Sequence, residues 1–291
     1  MTAKIIDGIK AAAAIRTECK ARVARLTGRG LVPGLAVIVV GSDPASAIYV
    51  RNKVRACAEV GIRSFRYDFP AQIEPARVLD LIQELNDRPD VHGILVQLPL
   101  PAHFSIAEVL RTISVNKDVD GFHLYNVGGL VIGDTVFPPC TPYGVVKLLE
   151  SENLQIEGKN VVVVGASNIV GKPMALMLMQ REATVCICHA KTRDLAQFTR
   201  LADILVVAAG KPNLIRADMV APGAAVIDVG INRLPDGKLV GDVDFAGVRE
   251  KASYLTPVPG GVGPMTVTML LVNTISSAER TADAIPGSGS K

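Results

Sequence analysis

Apolar runs alternate with segments of helical periodicity along the first half of the chain. Continuous apolar residues at 35–40 and 93–98 predict buried strands of a parallel sheet, and the pattern at 62–69 predicts a third strand. Apolar residues at helical spacing predict helices over 7–26 and 74–86. Because strands alternate with helices, the pattern implies βαβ units.

The same alternation resumes near residue 158. A helix over 139–153 bridges the two halves, and a long final helix follows a glycine-rich loop at 256–266. The second half is predicted to contain strands at 158–167, 183–188, 202–210 and 224–230, with a helix over 168–180. The pattern as a whole predicts an α/β protein of two domains, each built on a parallel sheet and the second of them Rossmann-like.

The domain boundaries follow from these elements. The first domain is predicted to span 1–140 and to be completed by the final helix at 264–283, which packs back on it. The second domain is predicted to span 141–263, with an active-site cleft between the two. The glycine- and serine-rich end at 284–291 reads as a disordered tail.

The helix predicted over 46–60 carries a lysine on its apolar side. At about 100° per residue, a polar face is formed by Arg51, Asn52, Arg55 and Glu59. Lys53 falls instead in the apolar arc, one turn after Tyr49. Either its stem packs while its ammonium reaches water, or the ammonium is a functional group held in a pocket beside an aromatic ring.

Composition narrows the class of protein. The 291 residues include 49% apolar and 20% charged residues, which is ordinary for a globular chain of two domains. Tryptophan is absent, aromatic residues are 4%, and the net charge is +3, so a nucleic-acid or membrane surface is not expected. No signal peptide or segment of about 20 apolar residues is recognisable, and a cytoplasmic protein is expected.

The five cysteines are an odd number without CxxC spacing, and reduced thiols are the default for such a set. Cys186 and Cys188 alternate along a predicted strand and would point to one face. With His189 beside them a metal site is conceivable, but small core residues are the favoured interpretation and no metal is predicted.

A glycine-rich turn, "GASNIVG" at 165–171, stands between a predicted buried strand and a helix. Such a turn places backbone N–H groups and the positive end of the helix where a pyrophosphate binds. Ser167 replaces the middle glycine of the usual GxGxxG pattern, and the spacing to Gly171 is longer. The alternative is a tight turn in a domain that binds nothing.

The segment after the next strand, "CHAKTRD", occupies the place where dinucleotide folds read the adenosine ribose. It offers His189, Lys191 and Arg193 rather than an acidic residue, and a basic cluster suits the 2′-phosphate of NADP. An ordinary solvated loop is the other interpretation.

Three further segments carry candidate chemistry. "KDVDG" places Asp118 and Asp120 beside Lys117, and one aspartate can cap a turn while the other faces a ligand. Gln97 ends a buried strand, where ligands of open α/β sheets gather. "TPVPGGVGPMT" at 256–266 is too rich in glycine and proline for an ordinary linker and predicts a rigid loop that lets backbone approach a ligand.

In this order, "YVRNK", "GILVQLPLP", "KDVDGFH", "PCTP", "GASNIVGKP" and "PVPGGVGPMT" closely resemble the bifunctional methylenetetrahydrofolate dehydrogenase/cyclohydrolase family. The resemblance runs from about residue 7 to about residue 275. It implies oxidation of 5,10-methylenetetrahydrofolate with NADP⁺, and hydrolysis of the resulting 5,10-methenyl cation to 10-formyltetrahydrofolate, at one site. It also implies a homodimer.

The resemblance implies roles for individual residues. Tyr49 would stack on the folate, Lys53 would activate water or shuttle protons, Gln97 would hydrogen-bond the lysine, and Asp120 would hold the polar edge of the pterin. The remaining folate-site residues are Val96, Leu98, Pro259, Gly260, Gly261, Val262 and Gly263. The residues implied to contact the dinucleotide are Gly165, Ala166, Ser167 and Ile231, beside Lys191 and Arg193.

Departures from the family pattern leave the choice of cofactor open. Many members have arginine at Ala166 and serine at Ala190, which commonly bind the 2′-phosphate, so NAD remains an alternative to NADP unless Lys191 and Arg193 compensate. Val115 stands where proline is common.

Other readings of the whole chain are a dehydrogenase without the hydrolytic step and a non-catalytic dinucleotide sensor, but Tyr49, Lys53, Gln97 and Asp120 are all retained.

Overall fold

The computed structural model describes residues 2–284, and the side chains of all of these except residues 44–46. Apart from Ala284, which ends the last helix, the predicted tail at 284–291 lies outside the described residues. Among the helices of the described chain, none combines the length and apolarity that crossing a bilayer requires.

Helices and strands alternate through most of residues 2–284. The helices are α1 Gly8–Gly28, α2 Pro44–Val60, α3 Pro75–Asp87, α4 Ile106–Thr112, α5 Leu124–Ile132, α6 Cys140–Ser151, α7 Gly171–Met179, α8 Leu195–Thr199, α9 Phe245–Arg249 and α10 Val262–Ala284. The strands are β1 Lys4–Ile5, β2 Gly34–Val40, β3 Arg63–Phe69, β4 Gly93–Val96, β5 Asn160–Val164, β6 Thr184–Cys188, β7 Ile204–Val207, β8 Ala225–Asp228, β9 Asn232–Arg233, β10 Leu239–Val240 and β11 Tyr254–Leu255.

The chain divides into two compact units. The 14–140 unit consists of Ala14–Cys140 together with the chain from Val267 onward. The 141–266 unit consists of Thr141–Thr266 together with the first thirteen residues. The chain passes from one unit to the other within α1, at the start of α6 and within α10.

The 14–140 unit is built on a three-stranded parallel sheet in the order β3-β2-β4. Every residue of the central strand β2 is buried, as its continuous apolar sequence predicts. The apolar side of α3, with Val78, Ile82 and Leu85 fully buried, packs into the core on one face of this sheet. Because β3 and β4 flank β2 on opposite sides, the strand order reverses there, and ligands bind at such switch points in open α/β sheets.

The 141–266 unit is built on a six-stranded, all-parallel sheet in the order β1-β11-β8-β7-β5-β6. The strand order reverses at β5, which has β6 on one side and β7 on the other, so the turn after β5 lies at the switch point. β9 and β10 form a separate antiparallel pair.

The two parallel sheets confirm the predicted α/β fold class. The units differ from the predicted domains at the N-terminus, because β1 pairs with β11 and residues 1–13 therefore cluster with the 141–266 unit rather than with 14–140. A strand of two residues has no periodicity to read, which is why the pattern did not reveal it. The last helix starts at Val262, and from Val267 it belongs to the 14–140 unit.

Candidate active site

Helix α2 presents a buried lysine among apolar residues. Lys53 is only 8% exposed, between Val50 and Cys57, which are completely buried. The polar face predicted for this helix is exposed at Arg51, Asn52, Arg55 and Glu59, and Ala58, next to Glu59, is exposed as well. The burial of Lys53 favours a pocket ammonium over a snorkelling one. Tyr49, one turn earlier, is half-buried.

Gln97 supplies the partner of this ammonium. Its backbone extends the sheet ladder past the end of β4, donating from N to the Ile38 carbonyl at 2.9 Å. The side-chain amide donates from Nε2 to the Leu98 carbonyl at 2.6 Å, which turns Oε1 toward α2. Oε1 accepts a hydrogen bond of 3.0 Å from Lys53 Nζ. The pair therefore lies at the switch point of the three-stranded sheet.

Asp120 adds a carboxylate to the same cluster. Desolvation raises the pKa of its carboxyl, while the charge of Lys53 and a hydrogen bond from the Cys140 thiol act in the opposite direction. Burial, followed by the charge of Asp120, raises the pKa of Cys140 well above its ordinary value, so the thiol stays protonated and able to donate. Lys53 thus interacts with both Gln97 and Asp120, and Asp120 interacts with the thiol of Cys140.

The other aspartate of "KDVDG" has a structural role. Asp118 is 1% exposed, and its Oδ2 accepts from the His123 amide at 2.8 Å and from Asn126 Nδ2 at 2.7 Å. Burial raises its pKa to about 6, although these hydrogen bonds lower it. Asp118 therefore meets the expectation that one aspartate of this motif caps a turn.

Lys117 points away from the cluster. Its Nζ donates to the carbonyls of Leu85 at 3.0 Å and Arg88 at 2.7 Å, at the C-terminal end of α3. The last carbonyls of a helix have no partner within it and carry partial negative charge. Lys117 therefore stabilises the end of α3.

Asn273 on α10 fixes the backbone that carries Asp120 and Cys140. It is 2% exposed, and its Nδ2 donates to the carbonyls of Val119 at 2.8 Å and Pro138 at 3.0 Å. The Cys140 sulfur contacts the same Val119 carbonyl at 3.3 Å. The sequence reasoning gave no site role to Cys140, although it lies in the "PCTP" motif, or to Asn273, whose signal was a polar residue in the apolar stretch "MLLVNT".

In the 141–266 unit, the turn after β5 has the compact geometry of a dinucleotide turn. Gly165 has φ of +125°, and a Cβ there would run into the carbonyl oxygen of Ala208. A Cβ at Gly171 would meet the carbonyl of Gly165, so both positions require glycine. The hydroxyl of Ser167 accepts from the amides of Val170 at 3.1 Å and Gly171 at 3.4 Å at the start of α7. Ala166, between these elements, is half-buried.

The loop after β6 carries the predicted basic cluster. Lys191 and Arg193 are both exposed, and the loop is shaped by His189, whose amide donates to Thr192 Oγ1 at 2.9 Å and whose Nδ1 accepts from the Lys191 amide at 3.1 Å. Cys188 lies in the core of this unit with Cys186 packed against it, and burial raises the Cys188 pKa to about 11.

The glycine- and proline-rich loop also belongs to the 141–266 unit. The start of α1 packs against it, because a Cβ at Gly8 would run into the Gly261 carbonyl. A Cβ at Gly263 would meet Cδ1 of Ile231 at 3.8 Å, so the predicted folate loop and a predicted dinucleotide contact are neighbours.

Of the residues around Gln97, Leu98 is half-buried, while Val96 is 4% exposed and lies in the sheet core.

The catalytic-domain profile of the tetrahydrofolate dehydrogenase/cyclohydrolase family matches residues 6–120, and the profile of its NAD(P)-binding domain matches residues 139–282. The bifunctional protein FolD of Nitrosospira multiformis is 61% identical over 287 residues, which cover 99% of this chain and 100% of that protein.

Solved structures of the same family also match this chain over nearly its whole length. The crystal structure of the bifunctional FolD methylenetetrahydrofolate dehydrogenase/cyclohydrolase from Campylobacter jejuni matches with a TM-score of 0.94 and 53% identity, covering 95% of this chain and 99% of that one. The Trypanosoma brucei enzyme, solved with NADP cofactor and an inhibitor, matches with a TM-score of 0.94 and 41% identity over 98% and 100% of the two chains. The chain therefore belongs to the tetrahydrofolate dehydrogenase/cyclohydrolase family, and it is a bifunctional NADP-dependent methylenetetrahydrofolate dehydrogenase and methenyltetrahydrofolate cyclohydrolase.

Proposed function

We propose that Lys53 is the group that handles the water proton in the hydrolytic reaction, and that the pocket around it holds the folate for both reactions. The observation that supports this role is the 3.0 Å hydrogen bond between Lys53 Nζ and Gln97 Oε1 on a side chain that is 8% exposed. A side chain that one neutral acceptor holds at this place can exchange a proton with a water molecule beside it, as a general base must.

The folate is held by an aromatic ring and a carboxyl group. Tyr49 stacks on the folate ring, and Asp120 binds the polar edge of the pterin, where a carboxyl with a raised pKa can accept or donate a hydrogen bond. Family resemblance adds Val96 and Leu98, on either side of Gln97, to the proposed folate contacts, and it likewise adds Pro259, Gly260, Gly261, Val262 and Gly263 of the glycine- and proline-rich loop.

The residues of the 141–266 unit fit a dinucleotide. The turn at Gly165, Ala166 and Ser167 lies at the switch point beside the start of α7, which suits a pyrophosphate, and the exposed Lys191 and Arg193 suit a 2′-phosphate. Bound NADP⁺ supplies the hydride acceptor. Ile231 adjoins Gly263 of the folate loop, and this contact supports a role for Ile231 in aligning the two ring systems.

The two reactions make different demands on the chain. Hydride transfer requires no proton acceptor from the protein, only alignment of the methylene carbon with its acceptor. Hydrolysis of the methenyl cation requires a water molecule to lose a proton as its oxygen bonds to the carbon. Lys53 takes that proton, and Gln97 keeps the amine directed at the site.

Replacement of Lys53 separates the two requirements. We expect Lys53→Met to lower the rate of methenyltetrahydrofolate decay at least about a hundredfold, within the range ascribed to a general base, while NADPH affinity by calorimetry stays within about twofold. The matched control is Arg55→Met, two residues away on the exposed face of α2, which should retain both activities. Unchanged hydrolysis in Lys53→Met would eliminate this role for the lysine.

We further propose that the enzyme acts as a homodimer in the cytoplasm. Family resemblance supports the dimer, and the five cysteines, all free in the described part of the chain, suit a reducing compartment. Sedimentation equilibrium should give twice the mass of one chain; the mass of a single chain at micromolar concentration would contradict the dimer.

A further inference from the structure

Two carboxylates lie buried near the carboxyl ends of β7 and β8. Asp242 has no exposed surface, and Asp228 is 4% exposed. Since a buried carboxylate is costly unless hydrogen bonds compensate it, the partners of each carboxylate show what it holds in place.

Asp242 accepts four hydrogen bonds from two separate loops. Its Oδ2 accepts from the backbone amides of Ala209 at 2.6 Å and Gly210 at 2.8 Å. Its Oδ1 accepts from the amide of Lys211 at 2.8 Å and from Asn232 Nδ2 at 2.8 Å. One carboxylate thus ties three consecutive amides of the loop after β7 to the side chain of Asn232, at the start of β9.

Both loops border the candidate dinucleotide site. The carbonyl oxygen of Ala208 lies where a Cβ at Gly165 would be, so the loop after β7 packs directly on the turn after β5. Asn232 follows Ile231, which adjoins Gly263. A shift of either loop would therefore move a surface that the cofactor is proposed to touch.

Asp228 fixes Asp242 in turn. Its Oδ1 accepts from the backbone amides of Asp242 at 2.9 Å and Gly230 at 3.0 Å, and its Oδ2 accepts from that of Val243 at 3.0 Å. A Cβ at Gly230 would run into the Asp242 carboxylate, so the loop and the carboxylate are in direct contact. Asp242 is thereby held in place through both its backbone amide and its carboxylate.

We propose that Asp242 is a positioning residue for NADP: without touching the cofactor, it holds the loops 208–211 and 229–232 in the conformation that binds it. The proposal rests on the dinucleotide site described under the proposed function. It requires an acceptor on both carboxylate oxygens, because each receives two N–H donors. An isosteric amide at this position would set an NH₂ group against two of those donors.

The test uses the reaction that needs no cofactor as an internal reference. For Asp242→Asn in the full-length enzyme, we expect the dissociation constant of NADPH and the KM for NADP⁺ to rise at least about tenfold, as the loss of hydrogen bonds to a charged group predicts. The kcat of the dehydrogenase should fall less than KM rises. Hydrolysis of methenyltetrahydrofolate should remain within about twofold of the wild-type rate.

The matched control is Asp244→Asn. Asp244 lies two residues away, caps α9 by accepting from the Gly247 amide at 3.4 Å, and asparagine caps helices equally well. This variant should bind NADPH as the wild type does. NADPH affinity unchanged in Asp242→Asn overturns the proposal, and so does a parallel loss of hydrolysis, which would mark a general structural role. If Lys191→Ala/Arg193→Ala weakens NADPH binding while Asp242→Asn does not, the cofactor site stands and the positioning role is wrong.

Discussion

The ammonium of Lys53 and the amide oxygen of Gln97 are 3.0 Å apart, although 44 residues separate them in sequence. The amide cannot rotate freely, because its nitrogen is engaged by the Leu98 carbonyl at 2.6 Å. Gln97 thus offers the lysine a neutral acceptor, and a neutral acceptor stabilises the charged ammonium less than a carboxylate does.

Two substitutions of Gln97 separate positioning from charge. Gln97→Leu removes the acceptor, and we expect hydrolysis to fall about ten- to a hundredfold, as for loss of one hydrogen bond to a charged group. Gln97→Glu keeps an acceptor but adds a negative charge that favours the protonated lysine, so its pH–rate profile for hydrolysis should move to higher pH. Gln83→Leu, on the exposed side of α3, is the control. Identical pH profiles for Gln97→Glu and the wild type would contradict the charge argument.

The raised pKa of Asp118 makes the stability of the fold depend on pH. Burial raises its pKa from 3.8 to about 6, so in the window between these values the folded chain holds more protons than the unfolded chain. Its contribution to stability is present below about pH 4 and is lost as the pH rises through 6. Asn can accept both hydrogen bonds, since both go to the single oxygen Oδ2.

Asp118→Asn should therefore gain stability relative to the wild type as the pH rises from 4 to 7. The expected gain is about 2–3 kcal/mol at most, at about 1.4 kcal/mol per pKa unit. Urea unfolding at pH 4, 5.5 and 7 measures it. Asp80→Asn, at an exposed carboxylate of α3, should show a much smaller dependence, and a constant difference between Asp118→Asn and the wild type would refute the account.

Lys191 and Arg193 should determine the preference for NADP⁺ over NAD⁺. If these exposed cations replace the absent basic and hydroxyl residues at Ala166 and Ala190, Lys191→Ala/Arg193→Ala should raise the KM for NADP⁺ about tenfold or more and leave that for NAD⁺ unchanged. The difference should shrink at high salt, since exposed charges are screened. Steady-state rates with both cofactors measure this, with Lys238→Ala as the exposed control. An equal effect on both cofactors would show that the cations do not read the 2′-phosphate.

Replacement of Asn273 should cause a large loss of stability. Asn273→Leu keeps the branched heavy-atom skeleton but removes the amide, which leaves the Pro138 carbonyl without its donor and the Val119 carbonyl with only the Cys140 thiol. We expect the free energy of unfolding to fall by about 2–4 kcal/mol, because a buried polar group without a partner costs about 1–3 kcal/mol. Thr281→Ala on the exposed side of α10 removes a hydroxyl that bonds within its own helix and should change stability by less than about 0.5 kcal/mol. A loss as small as the control's would show that water or backbone rearrangement replaces the amide.

Much of the fold was accessible from the sequence because its strands are buried on both faces. Continuous apolar runs marked β2, β4, β5, β7 and β8, and glycines at Gly165 and Gly171 marked the turn after β5. Lys53 could be recognised as a candidate site residue because it interrupts the apolar side of α2. Helix α5 was missed because its sequence "LYNVGGLVI" has two glycines and exposed apolar residues, so no amphipathic period is visible.

The residues that support the site were less accessible. Asp242 accepts from Ala209, about thirty positions earlier in sequence, and an aspartate in "GDVDF" reads locally as a turn residue. Its burial depends on donors that only the folded sheet brings to it. For the same reason Asn273 gave no sign that its amide holds two distant carbonyls.

The strand β1 has a consequence for dissecting this enzyme. Backbone hydrogen bonds from the amides of Lys4 and Ile6 to the carbonyls of Ser253 and Leu255 cover the outer side of β11, and the Ala3 amide donates to the Arg249 carbonyl at the end of α9. A fragment cut at the matched family boundary near residue 139 would lose them and expose an unpaired strand edge, a template for aggregation. The two units are interleaved in the chain, so a cofactor-binding fragment that stays monodisperse needs the first thirteen residues supplied in trans or joined by circular permutation.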